Sequence, residues 1–253
     1  MSQYLFGSGA AWGTPLADAA GNTIATPTPQ QFMVLQEISL DISFENKMLH
    51  GQNQFPVAVG RGKGKISGKS KWAQVNGGVF NALFFGQTMT NGIIGDVYET
   101  TGALVPTTPF TITPTVPESG TWSADLGVRD ANGLPMVRVA SAPAAGQYSV
   151  SAGVYTFAAA DTGKRVFINY QYTATSTSAT KLNVVNQPMG YAPSFKLDLF
   201  MPYQGKKLIV TLPKVISTKL AFAAKNDDFT VPDMDFEAFA DDSGNVITMA
   251  MSE

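Results

Sequence analysis

The sequence predicts a mainly β protein, on three observations. Apolar and polar residues alternate in run after run, most strictly where Ile38, Leu40, Ile42 and Phe44 interleave with Glu37, Ser39, Asp41, Ser43 and Glu45. That is the period-two pattern of a strand with one buried face. Helical spacing is confined to residues 73–85, where Val75, Val79, Ala82 and Leu83 recur and Gly86 is placed to end the helix. Charged residues are only 14% of the chain, against about 25% in an average globular protein. Uncharged polar residues fill the gap, and such a surface has little repulsion to prevent self-association.

A chain of 253 residues can bury a full core, as one large β domain or two small ones. The net charge of −2 weighs against a dedicated nucleic-acid binder. Cysteine is absent, which excludes disulfides and thiolate metal sites. The opening MSQYLFGSGAAW has no basic n-region, and no apolar run approaches the ~18 residues that cross a bilayer. Synthesis and folding in a cytoplasm, with no membrane partner, is the expectation.

In chain order, residues 1–35 hold small residues and turn formers with one charge, Asp18. They read as an extended arm that docks elsewhere or as a partly disordered terminus. The first strand follows. Residues 46–60 (NKMLHGQNQFPVAVG) fit neither period and read as a long loop. A loop of that length tends to be functional or disordered, and its apolar Met48, Leu49, Phe55 and Val57 are expected to bury against a neighbouring subunit. In residues 61–72, Arg61, Lys63, Lys65, Lys69 and Lys71 all sit on odd positions, so an extended segment puts all five cations on one face.

Residues 93–100 read as a strand closing the first half of a core spanning 36–100 and 182–253. Pro/Thr-rich 101–120 and Ser/Thr-rich 173–181 bracket a small inserted β domain, 101–181. After it the alternation resumes at 194–202, 206–212, 216–223 and 229–239, and the turn DDSGN leads to a last strand at 246–251.

No catalytic constellation emerges. GKISGKS resembles a phosphate-cradling loop, but the position five before Gly68 is Lys63, not glycine. His50 is the only histidine, so a histidine metal site or a Ser–His pair cannot form within one chain. Asp233, Asp235 and Glu237 share one strand face, where a solvated or interface edge outweighs a calcium or acid–base site. The expectation is no enzyme and no cofactor. No acid lies between Glu45 and Asp96, and no cation follows Lys225. The cationic and acidic blocks are either solvated edge faces or surfaces that meet across a subunit boundary.

The ordered features resemble the tail tube (major tail) proteins of tailed bacteriophages. The resemblance rests on FGSGAAWGTPL at 6–16, residues 34–72, NGGVFNALFFG at 76–86 and FTVPDMDFEAFADDSGNVITMAMSE at 229–253. The insertion, with AAGQYSVSAGVYTFAAADTGKRVFINYQYT at 144–173, looks like a module of several virion proteins. It departs from the minimal family pattern. The resemblance implies a β-sandwich or half-barrel flanked by one short α-helix. It implies homohexameric rings stacked into a hollow tail tube that carries DNA without sequence-specific binding. It also implies partners in the tape measure, the tail tip or baseplate and the tail terminator. A soluble carbohydrate-binding or adhesin-like protein is the alternative, with Trp122, Tyr148, Tyr155, Tyr170 and Tyr172 as a sugar platform. A baseplate hub or secretion-tube homologue of the same fold is another.

Overall fold

The computed structural model describes residues 4–32 and 34–252. Residues 1–3 and 33 of the expected N-terminal arm, and Glu253 of the closing segment, lie outside them. The chain divides into two compact units, 1–88 with 182–253, and 89–181.

The first unit opens with β1 (Ala10–Ala17), β2 (Gln30–Gln31), β3 (Leu35–His50), β4 (Pro56–Trp72) and α1 (Gly77–Phe80). The second unit then runs β5 (Met89–Asn91), β6 (Ile93–Val97), β7 (Ala103–Leu104), β8 (Thr111–Ile112), β9 (Thr121–Asp130), β10 (Val137–Arg138), β11 (Gln147–Ser151), β12 (Val154–Phe157), β13 (Arg165–Ala174) and β14 (Thr180–Leu182). The first unit resumes with β15 (Ser194–Tyr203), β16 (Lys206–Ala221), β17 (Asp233–Ala238) and β18 (Thr248–Met251).

The first unit is built on an eight-stranded sheet in the order β2-β1-β15-β16-β17-β4-β3, with β18 also on β16. The alternation read from the sequence sorts its faces. Phe195, Leu197 and Leu199 of β15, Val210 and Leu212 of β16 and Met234 and Phe236 of β17 are buried on one side. They pack with Val79, Phe80 and Leu83 of the helical segment that begins with α1. Trp72 stacks on Phe80 at 4.9 Å and touches Phe32 at 4.8 Å. Its indole Nε1 donates to Ser70 Oγ at 2.9 Å, so the one polar atom of the ring is satisfied inside the core.

The helix starts later than the expected residue 73. Asn76 is extended and its Oδ1 accepts from Gly78 N and Val79 N, which fixes the first turn at Gly77. A π-helical turn, Asn81–Phe85, completes it, and Gly86 ends it in the left-handed region at φ 60°. A Cβ there would sit 2.7 Å from Ala19 N, so glycine is needed on both counts.

Three sequence expectations change. Residues 46–60 are not a loop: β3 and β4 continue through them as one hairpin paired as far as His50 and Pro56. The two strands expected at 206–212 and 216–223 are one long strand, Lys206–Ala221. Pro213, which lacks a donor, falls where the β15–β16 register shifts, so the strand continues past it. Finally, Ile93–Val97 pairs with β13 and belongs to the second unit, which moves the boundary from 101 to 89.

The second unit has its own core of Val105, Val128, Tyr148, Tyr155, Phe157, Val166, Ile168, Tyr170 and Tyr172. The β11–β12 hairpin turns through Ala152 and Gly153, both at positive φ, the two-residue geometry that matches strand twist.

Candidate interaction surface

The outer half of the β3–β4 hairpin is an arm whose apolar side chains have no cover among the described residues. Met48 and Leu49 lie on β3 and Val57 and Val59 on β4, all more than half exposed, and Phe55 at the tip is 80% exposed. The strand pairing itself, Met48 with Val59 and Leu49 with Ala58, explains why no alternation was visible. Neither face is buried within one chain, so nothing selects a polar side and an apolar side. The clue that did exist was Val57 and Val59, β-branched and two apart.

Three glycines thin out the second strand of the arm. Gly60, Gly62 and Gly64 recur on alternate positions of β4, but the register shift opposite Glu45 puts Gly60 and Gly62 on the Lys47 face and Gly64 on the Phe44 face. A Cβ on Gly60 would meet nothing within 4 Å, one on Gly62 would meet the Lys47 side chain, and one on Gly64 the Phe44 ring. Arg61 lies over that ring with its guanidinium 4.2 Å from the centroid, and Lys47 sits 3.5 Å from Glu45. Arg61 and Lys63 have no carboxylate partner among the described residues.

The other cations are engaged. Antiparallel pairing sets Asp233 opposite Lys71, Asp235 opposite Lys69 and Glu237 opposite Ser67. Lys65 Nζ reaches Glu237 at 2.7 Å, and Lys69 Nζ lies 3.8 Å from Asp233 and 3.7 Å from Asp235. Lys71 bonds Glu37 on the far strand. That hydrogen bond, with the attraction of the two charges, holds the Glu37 carboxyl below its usual range and the Lys71 amine above its own. The cationic and acidic blocks were expected either to be solvated edge faces or to meet across a subunit boundary. For Lys65, Lys69, Lys71, Asp233, Asp235 and Glu237 they meet inside one chain instead, because β17 returns to the edge of β4. Each of the three acids therefore has a lysine nearby, Asp233 and Asp235 sharing Lys69.

In the second unit, Tyr148, Tyr155, Tyr170 and Tyr172 are buried, and the half-buried Trp122 donates its indole N–H to Tyr155 Oη at 3.3 Å. Asp125, barely exposed, accepts from Tyr148 Oη at 2.8 Å, Tyr155 Oη at 3.2 Å and Gly127 N at 3.0 Å. Burial first, and then the Asp125 charge, push both phenols above the usual tyrosine range. These four tyrosines form an interior, so the sugar platform of the alternative reading is not on the surface. Asp125 itself was not foreseen, since nothing local distinguishes it from a solvated strand aspartate.

The chain matches no protein-family model and no curated protein sequence.

Proposed function

We propose that this chain is a structural subunit that assembles with copies of itself, and that the assembly is the tail tube of a bacteriophage virion. The observation that carries the self-assembly is the free edge of β3. It is the terminal strand of the sheet, 16 residues long, and its outer edge pairs with no strand among the described residues. Long free edges with apolar side chains are templates for strand addition unless guarded. Only Glu37, Asp41, Glu45 and Lys47 charge this one. At the far end of the sheet the terminal strand is the two-residue β2. Two unlike edges favour a head-to-tail contact, which closes into a ring when the rotation permits.

The order of features along the chain supports the tail tube reading. Six copies in a ring extend the sheet from subunit to subunit into the half-barrel wall of a hollow conduit, and rings stack. The arm reaches the next copy. DNA passes through without base-specific contact, and the ends of the tube meet the tape measure, tail tip and terminator proteins. Sedimentation over a concentration series tests the self-assembly directly. Discrete hexamers and longer stacks are expected, and a monomer at every concentration would refute it.

A further inference from the structure

The β3–β4 hairpin leaves uncovered apolar side chains at both of its ends. At the tip they are Met48, Leu49, Phe55, Val57 and Val59, and no Asp, Glu, Lys or Arg lies between Lys47 and Arg61. At the base, Val34, Val75, Phe222 and Val231 flank the Trp72–Phe80 stack. The Val34 carbonyl accepts from Ala73 N at 2.8 Å and the Pro232 carbonyl from Trp72 N at 3.1 Å, while the Phe222 ring meets the Phe80 ring edge-on at 5.4 Å. Val75 and Phe222 are more than half exposed and Val34 nearly half. No charged residue lies between Lys71 and Asp96. Pro56 begins β4 and Trp72 ends it, so 17 strand residues run from tip to base, roughly 50 Å at ~3.3 Å per residue. A chain's own tip therefore does not reach its own base.

We infer that the tip of the arm seats against this base on a second copy of this chain. The inference rests on the self-assembly reading above and names the surface of the neighbour that the arm takes. Two observations select the occupant. Each surface is apolar and its main segment, 48–60 or 72–95, carries no charged residue, so joining the two takes no ion out of water. They also sit at opposite ends of one strand pair, so the contact is head-to-tail and repeats from copy to copy. Its direction runs along the strands, whereas pairing at the free edge of β3 runs across them. Edge pairing therefore closes a ring, and the arm joins one ring to the next. Phe55, the most exposed of the five tip residues, is the anchor, since buried aromatic side chains carry much of an interface's energy.

The chain has no cysteine, so introduced thiols map the contact without background. Gln54→Cys at the tip and Gln74→Cys at the base each replace an exposed polar residue of the full-length chain, with circular dichroism to verify folding. Assembled as a mixture and treated with a short bismaleimide, the two variants should give about tenfold more covalent dimer than either alone, as a head-to-tail contact requires. Phe55→Asp and Val75→Asp place a charge in the contact, and each should need about tenfold more protein to self-associate in sedimentation. If the parent associates and the mixture cross-links no better than the single variants, the inference fails and the self-assembly reading stands. Aspartate variants that associate like the parent also overturn it. So does Gln54→Cys that cross-links to itself as readily as to Gln74→Cys, because the tip then meets another tip. A parent that stays monomeric overturns both readings, as does a monomer that floats with phosphatidylcholine vesicles, which would assign the tip to a lipid surface.

Discussion

Three aspartates, Asp18, Asp130 and Asp241, open turns in the same way. Each accepts from the backbone N–H two and four residues on: Ala20 and Asn22, Asn132 and Leu134, Ser243 and Asn245. Each is followed three residues later by a glycine at positive φ, Gly21, Gly133 or Gly244. This chemistry is complete within five residues, so DDSGN was legible as a turn from sequence alone. Hydrogen bonds from Asn22 hold the Asp18 carboxyl below its usual range, and those from the Asn245 backbone and side chain do the same at Asp241. A carboxylate with a lowered folded pKa contributes stability that is present above its unfolded value, about 3.9, and is lost as pH falls through the folded value. Thermal unfolding followed from pH 6 downward should show stability falling on the acid side. Replacing both Asp18 and Asp241 by alanine should flatten that limb. An unchanged slope would mean the turns carry no pH dependence.

At the scale of elements, the β3–β4–β17 ladder and the arm beyond it are one pair of strands in two environments. Where β17 lies alongside, charges meet across strands and alternation is strict. Beyond β17 the alternation stops, and Gly60, Gly62 and Gly64 recur. All five cations were expected on one face; Lys65, Lys69 and Lys71 keep to it, but the register shift before Arg61 turns that residue onto the Phe44 ring, and the sequence could not say which strand would lie beside the lysines, since Lys69 and Asp235 are brought together only by the tertiary fold. Lys69 is the member to test. One oxygen each of Asp233 and Asp235 is buried without a hydrogen-bond partner, and Lys69 is the cation near both. Exposed ion pairs contribute only ~0–1 kcal/mol, while uncompensated buried acceptors cost about 1–3 kcal/mol. Lys69→Ala should therefore lower unfolding free energy by ~1–2 kcal/mol in urea, and Lys63→Ala, which removes no described ion pair, by under ~0.5 kcal/mol. Equal effects would show that the ladder does not depend on Lys69.

At the scale of the whole molecule, two hydrophobic clusters divide between two units. The mainly β class and the presence of an interrupting module were legible, because alternation and Pro- or Thr-rich punctuation are local signals. The start of the module was not, because a strand such as Ile93–Val97 does not announce its partner; β13, which claims it, lies over 70 residues away. Replacing residues 89–181 by a short Gly/Ser linker should leave the first unit folded, with its Trp72–Phe80 stack giving near-ultraviolet dichroism like the parent's. Loss of soluble protein would mean the first core needs the second unit. On the proposed reading the first unit acts through its open sheet edge and its arm, whose apolar side chains have no cover among the described residues. Electron microscopy of the purified full-length chain at high concentration is the most direct test. Six-fold rings and hollow stacks of rings are the expected result; a field of single, unassociated subunits would contradict it.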